Sequence, residues 1–359
     1  MSSEKLKIGI VGCGGIANQK HMPALAKLGH LGEMVAFCDV IEERAVKAKA
    51  EYGTESAKVY TDYKELLRDA SIDVVHVLTP NLYHSFISVD ALEAGKHVMC
   101  EKPMAINSAE ARKMIDAAKR TGKKLTIGYQ NRWNNDSQVV YKACREGELG
   151  DIYMAKAHAV RRRGVPTWGV FTDKEQQGGG ALIDIGTHAL DLTLWFMDNY
   201  KPKSVTGSVF YKLKDKPEGN TMGRWDPATF TVEDSAFGLI KMENGATIFL
   251  ECAWALNTTD VREAKSSLFG TNGGVEMKQG ANWQPDLVFN TVKFDKLMEM
   301  KPQVMGRRGE DSGLQEARQW LESIVNDTEP LVKPEQAFVV TQILEAIYTS
   351  AETGKAVAF

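Results

Sequence analysis

Through residue 130 the chain alternates short apolar runs with stretches in which apolar residues recur at helical spacing. The runs are 5–12 (KLKIGIVG), 33–39 (EMVAFCD), 73–79 (DVVHVLT), 96–102 (KHVMCEK) and 123–130 (KKLTIGYQ), and they predict β-strands. The stretches 41–53, 83–95 and 108–122 predict helices, and each ends in a glycine placed as a C-cap. Strand, helix and strand in strict alternation imply a doubly wound parallel sheet over 1–130. After 130 the pattern changes. Runs at 151–164, 204–215, 231–242, 246–256 and 264–280 are mostly strands, and ENGA at 243–246 predicts a hairpin turn. Asn244 and Gly245 are expected to supply its positive φ angles. Helices over about 311–326 and 334–353 are expected to follow this antiparallel sheet. The expected architecture is α/β: a doubly wound domain over 1–130 and an α+β domain over 131–359 packed directly on it.

Composition narrows the function. The 359 residues suit two domains, and 43% hydrophobic with 25% charged is ordinary for a globular protein. A net charge of −3 gives no reason to expect a nucleic acid or an anionic membrane as partner. No apolar run approaches the ~18 residues that span a bilayer. The start, MSSEKLKIGIVG, has no charged region followed by an apolar helix, so no secretory signal is expected. Five scattered cysteines without a CxxC pair are expected to be reduced thiols in a cytoplasmic protein, with no metal site.

The first strand runs into GCGGIA, which places Gly12, Gly14 and Ala17 in the pattern G-x-G-x-x-A, with Gly15 and Ile16 between them. A glycine at the first position permits a tight turn, and one at the second lets backbone approach a pyrophosphate at a helix N-terminus. The alanine allows close helix–strand packing. Asp39 ends the next strand about twenty residues further on, where an acid accepts hydrogen bonds from a ribose diol and repels a 2′-phosphate. NAD is therefore favoured over NADP. LTPNLYH at 78–84 leaves a later strand at its carboxyl end, so Thr79, Pro80, Asn81 and His84 are candidates for the nicotinamide side. The competing reading of His84 is a surface histidine at a helix N-terminus.

CEKPMAINSAEA at 100–111 puts Glu101, Lys102 and Pro103 at another strand end. With the glycine fingerprint, TPNLYH, GYQNRW, GGGALIDIGTHALDL, VEDSAFGLI and ILEAIYTSAETGKAV, this resembles the Gfo/Idh/MocA family of oxidoreductases along essentially the whole chain. The resemblance implies a Rossmann domain and an α+β domain whose large open sheet often mediates homo-oligomer formation. It implies a catalytic Lys102 from the E-K-P motif, with a cis Lys102–Pro103 bond, and catalytic Asp184 and His188 from D-x-G-x-H. Physically, oxidising a secondary alcohol removes a hydroxyl proton as hydride leaves. A histidine is a suited base near neutral pH, and a lysine stabilises the alkoxide-like oxygen. Asp184 and His188, four residues apart, would share a helix face. Asp191 extends this stripe but reads better as structural.

Near the cofactor, Glu101 and Gln130 are further expected contacts. Asn131, Arg132, His158, Arg162 and Trp168 are candidate substrate residues, together with Asp184 and His188. Strand alternation would place Arg162 opposite Arg161 and Arg163, and Trp168 could stack on the apolar face of a sugar or sit in a core. RRRGVPTWGVF before GGG is similar to family members that oxidise C3 of glucosides, giving a 3-keto sugar. An inositol dehydrogenase, a redox-assisted glycosidase that retains NAD, and a sugar sensor without activity are the alternatives.

Overall fold

In the computed structural model, residues 5–279, 285–303 and 311–359 are described. Gly280, the last residue of the expected 264–280 run, and the first four residues of the chain lie outside them. The strands in chain order are β1 Leu6–Val11, β2 Gly32–Cys38, β3 Lys58–Tyr60, β4 Val74–Val77, β5 His97–Glu101, β6 Leu125–Gly128, β7 Ile152–Val160 and β8 Pro202–Phe210. They continue as β9 Ser235–Met242, β10 Thr247–Ala253, β11 Arg262–Gly270, β12 Gly273–Gln279, β13 Pro285–Lys293, β14 Lys296–Met300 and β15 Val357–Ala358. The helices are α1 Met22–Ala26, α2 Glu42–Tyr52, α3 Tyr63–Leu67, α4 His84–Glu93, α5 Ser108–Thr121, α6 Asn135–Arg145, α7 Lys174–Gln177, α8 Thr187–Met197, α9 Ser312–Val325 and α10 Pro334–Thr353.

These elements form two compact units. The first spans Met1–Trp133 and Arg308–Phe338, the second Asn134–Arg307 and Val339–Phe359. In the first, six parallel strands run in the order β3-β2-β1-β4-β5-β6. This is the Rossmann arrangement, with a topological switch between β1 and β4. The register puts Val11 beside Cys38 and Val77, Val77 beside Cys100, and Cys100 beside Ile127. The residues that follow in each strand therefore leave the carboxyl edge of the sheet in one row. One core joins Ile8, Ile10, Met34, Phe37 and Met99 to Leu25, Ala45 and Ala48. Leu314, Ala317, Trp320 and Leu321 of α9 complete it, so a helix expected with the second domain packs in the first unit instead.

The second unit holds a nine-stranded sheet in the order β14-β13-β12-β11-β7-β10-β9-β8-β15. Every pairing is antiparallel except β7 with β10. Helix α8 covers one face: Thr193 and Ser266 on β11 share a hydrogen bond at 2.7 Å. Tyr141 of α6 stacks on Trp195 with centroids 4.1 Å apart.

Local expectations needed three corrections. At the β9–β10 turn only Gly245 has positive φ, at 92°, because Asn244 uses its side chain to accept from Ala246 N–H instead. Gly95 and Gly122 end their helices in the left-handed region, but Gly53 is extended at φ −78°. Finally, β7 stops at Val160, so the three arginines after it do not alternate as a strand.

Candidate active site

The dinucleotide fingerprint occupies the row at the carboxyl edge of the first sheet. Gly12 has φ 94°, and a Cβ there would lie 2.5 Å from the Leu78 carbonyl oxygen, so the turn tolerates no side chain. At Gly14 and Gly15 a Cβ would meet nothing within 4 Å. This opening is a cradle that a side chain would partly fill. The loop is braced from behind: the Asn18 amide donates to the carbonyls of Cys13 at 2.8 Å and Gly14 at 2.7 Å. Ala17 is buried and starts a π-helical turn, Ala17–His21, that runs into α1. Asp39 follows β2, and its carboxylate accepts from Cys13 N–H and Ile41 N–H, each at 2.9 Å. The acid thus shapes the glycine loop as well as standing beside it. Ile16, Val40 and Ile41 leave apolar surface exposed on that side.

Thr79 and Pro80 are half-buried, and Asn81 is buried after β4. His84 is also buried, which excludes a surface histidine. Its Nδ1 lies 2.7 Å from the Pro103 carbonyl oxygen and its Nε2 2.9 Å from that of Thr79. Burial pulls the imidazole pKa down and outweighs the two carbonyls, and the neutral ring has one N–H, which it donates to one carbonyl at a time.

Lys102 leaves β5 half-buried, and the Lys102–Pro103 bond is cis. Glu101 before it is buried and accepts from Lys20 Nζ at 2.6 Å, His21 Nε2 at 2.8 Å and Lys102 N–H at 3.0 Å. Burial pushes this carboxyl up, but Lys20 and His21 prevail and hold it well below the usual range. Lys20 also pairs with Glu316 on α9 at 2.7 Å. Glu101 therefore acts as a buried brace for the Lys102 backbone. Gln130 and Asn131 are half-buried beyond β6. Arg132 is fully buried and donates to the Leu331 carbonyl at 3.2 Å and Gln336 Oε1 at 2.8 Å, so its guanidinium holds the first unit together.

In the second unit the glycine run 178–180 is a close-approach device. A Cβ on Gly179 would lie 2.0 Å from the Tyr348 hydroxyl, and one on Gly180 2.1 Å from the Glu233 carbonyl oxygen. The chain then makes a π-helical turn, Leu182–Gly186, which continues as α8. Asp184 lies on the wide turn and His188 just inside α8, so the plain α-helix expected here is widened at the residues of interest. Asp184 accepts from the Trp254 indole N–H at 2.8 Å. Arg161 chelates Glu263, with Nε at 2.6 Å from Oε2, and donates to the Gly164 carbonyl at 3.0 Å. Burial alone would lower the Arg161 pKa, but Glu263 and Asp184 raise it, which marks Asp184 as part of the same charge cluster. His188 and Asp191 are both buried.

The remaining candidates scatter. Trp168 is 54% exposed with its edge against Phe171, as a stacking platform would be. Arg162 is exposed. His158 lies on the other face of the sheet from the Ala157–Ser266 row that meets α8, and is held by Glu251 at 2.6 Å and Ser267 at 3.1 Å. Sequence reasoning gave no role to Trp254, Glu233 or Tyr348, which surround the 178–188 segment. Their partners are 51 to 115 residues distant, and only the VED and ILEAIYTSAETGKAV motifs touched on two of them, Glu233 and Tyr348.

A Rossmann sheet with a glycine cradle at its switch point, followed by an α+β unit carrying a carboxylate and an imidazole on one helix, defines a dinucleotide-dependent oxidoreductase class. Family models agree: residues 6–129 match the oxidoreductase family's NAD-binding Rossmann fold, and residues 142–359 its C-terminal alpha/beta domain. The chain belongs to the Gfo/Idh/MocA oxidoreductase family. It is 36% identical to a D-glucoside 3-dehydrogenase of Escherichia coli (strain K12), over 99% of this chain and 97% of that one. An inositol 2-dehydrogenase of Salmonella typhimurium is 32% identical over 56% of this chain and 57% of its own length. Among solved structures, an aldose-aldose oxidoreductase from Caulobacter crescentus with glycerol superposes with a TM-score of 0.82 at 25% identity, covering 99% of this chain and 100% of that one. A levoglucosan dehydrogenase with NADH and levoglucosan shares the fold, with a TM-score of 0.83 at 21% identity and 99% coverage of each chain.

Proposed function

We propose that the protein oxidises a secondary hydroxyl of a sugar or glycoside with NAD, and that the favoured position is C3 of a glucoside, giving a 3-keto sugar. The near full-length similarity to a D-glucoside 3-dehydrogenase carries this reading. The chain's own residues supply the chemistry it needs. The open backbone at Gly14 and Gly15, with Gly12, Ile16 and Ala17 shaping the turn, would hold the pyrophosphate, and Asp39 the adenosine ribose. Thr79, Pro80, Asn81, His84, Glu101, Lys102 and Gln130 would form or brace the nicotinamide end. When bound, the nicotinamide supplies the hydride acceptor.

As the C–H electron pair leaves the sugar carbon, the hydroxyl must lose its proton. His188 takes it, since an imidazole titrates near pH ~6.5 and suits this role at neutral pH. Lys102 donates a hydrogen bond to the same oxygen and stabilises its alkoxide character. Asp184, oriented by Trp254, stabilises the cationic partner. The sugar loses one hydride and one proton and becomes a ketone. Asn131 and the exposed Arg162 and Trp168 are the remaining proposed sugar contacts, whereas the packing of Arg132 and His158 argues against theirs. We also assign the open face of the nine-stranded sheet to contact with a second copy, and the protein to the cytoplasm. Among the described residues no helix is long and apolar enough to cross a membrane.

The partial match to an inositol 2-dehydrogenase supports a second reading, inositol oxidation by the same three residues. Incubation with NAD and, separately, an aryl glucoside, glucose and myo-inositol distinguishes these outcomes through NADH absorbance and product mass. A glucoside product lighter by two hydrogens supports the proposal. Free sugar without NADH indicates a redox-assisted glycosidase, and turnover of inositol alone indicates the second reading. Lys102→Ala and His188→Ala should each lose roughly a hundred-fold or more in oxidation while still binding NAD. Near-normal turnover in either would remove that residue from the mechanism.

A further inference from the structure

Helices α3, α5, α7 and α9 are each capped by a short side chain at their own start. The π turn that opens the 182–197 helical run has no such cap, and its backbone N–H groups go to a side chain from a distant part of the second unit. Glu233, just before β9, is 1% exposed. Its Oε2 accepts from Gly180 N–H at 2.8 Å, and its Oε1 accepts from Leu182 N–H at 2.9 Å. The Tyr348 hydroxyl on α10 donates to Oε1 at 2.8 Å. The main chain doubles the contact, with Ala181 N–H 3.4 Å from the Glu233 carbonyl oxygen. Gly179 and Gly180 are the residues that let Tyr348 and the Glu233 backbone come this close.

A local cap would stabilise this helix as well, without burying a carboxylate. What a local cap cannot do is fix the helix against the sheet. An acid at the start of β9, held by a hydroxyl from α10, pins the first turn from two directions, and Asp184 lies two residues beyond the pinned Leu182. We propose that Glu233, seated by Tyr348, is a positioning residue for the oxidation step: its carboxylate fixes the turn that aims Asp184 and His188. This rests on the catalytic roles proposed for those two residues.

The pair also makes activity sensitive to acid in a definite way. Burial pushes the Glu233 carboxyl above its usual value, against the Leu182, Gly180 and Tyr348 donors that lower it. Tyr348, Tyr211 and Cys252 are described titratable groups that face it, and burial raises all three, so they stay neutral at working pH. Glu233 is thus the carboxylic acid of this group, and protonating it as the pH falls releases one of the pinned N–H groups.

The test uses the full-length protein with NAD and the sugar it oxidises. In Tyr348→Phe, which keeps the ring and loses the donor, and in Glu233→Gln, kcat should fall roughly ten- to a hundred-fold. KM and the NAD dissociation constant should stay within about two-fold, as for loss of alignment without loss of binding. Amide hydrogen exchange at Gly180 and Leu182 should quicken in both, and in Tyr348→Phe the acid loss of kcat should move to higher pH. Faster exchange with unchanged kcat in both variants overturns the proposal. If Glu233→Gln does not fold, Tyr348→Phe alone decides. If His188→Ala retains turnover, the proposed function fails while the exchange data still report whether the clamp exists.

Discussion

The carboxylate of Asp184 accepts at 2.8 Å from the indole N–H of Trp254, which lies just beyond β10 and 70 residues away. A hydrogen bond to a charged group is worth about 1.5–3 kcal/mol, so Trp254→Phe, which keeps most of the packing, should lower kcat roughly ten-fold or more. Steady-state kinetics with saturating NAD measure this, and unchanged kcat would mean that Asp184 does not depend on the indole. His158 offers the converse case. It lies on the sheet face away from α8 and is fully engaged by Glu251 and Ser267, so His158→Ala should leave kcat/KM within about two-fold. A large loss would place substrate on the face now assigned to a second copy. Arg132, Glu101 and His84 carry a similar lesson, because each stands in a legible motif and all are buried supports. A motif reports that a charged residue is needed at a place, and only burial reveals whether its charge faces the ligand or the fold.

At the level of elements, the two stretches that matter most both contain a π-helical turn, Ala17–His21 after the glycine loop and Leu182–Gly186 after the glycine run. Each begins where glycines admit another group closely. The two glycine sets should respond differently to alanine. At Gly14 the Cβ meets nothing, so Gly14→Ala should leave thermal stability within about 0.5 kcal/mol yet weaken NAD binding measurably by fluorescence titration. At Gly180 the Cβ would run into the Glu233 backbone, so Gly180→Ala should cost about 1–3 kcal/mol in denaturant unfolding as well as activity. Equal effects from both substitutions would contradict the geometry at one of them. The alternation that sets the doubly wound sheet was legible because each run is apolar and bounded by helical spacing. Strand β3 was not, since three residues carry no period. Strands β13 and β14 escaped because β14 is an edge strand exposed at every position, without the burial that writes an alternating pattern. The π turns left no trace either, because one extra residue in a turn hardly alters hydrophobic spacing.

For the whole molecule, acid should act through buried imidazoles. Burial depresses the pKa of His21, His76 and His84, and that of His97 falls to about 4. Unfolding frees each of them to bind a proton near its ordinary value of 6.5. The unfolded state therefore holds more protons once the pH drops below that value. Stability is full above it and is lost progressively below it. The melting temperature should fall steadily as the pH is lowered from about 7 to about 5, with the first unit responsible, and a flat profile would show that these rings are not buried neutral. The placement of α9 bears on how such a molecule is made. Trp320 and Leu321 fill a core whose other walls come from the first hundred residues, so that core has a very high contact order. During synthesis the N-terminal sheet must wait, with an apolar face uncovered, until nearly the whole chain has emerged. A fragment ending at Trp133 should then be expressed as an aggregating or chaperone-bound species, and should become soluble only when a peptide spanning α9 is supplied in trans.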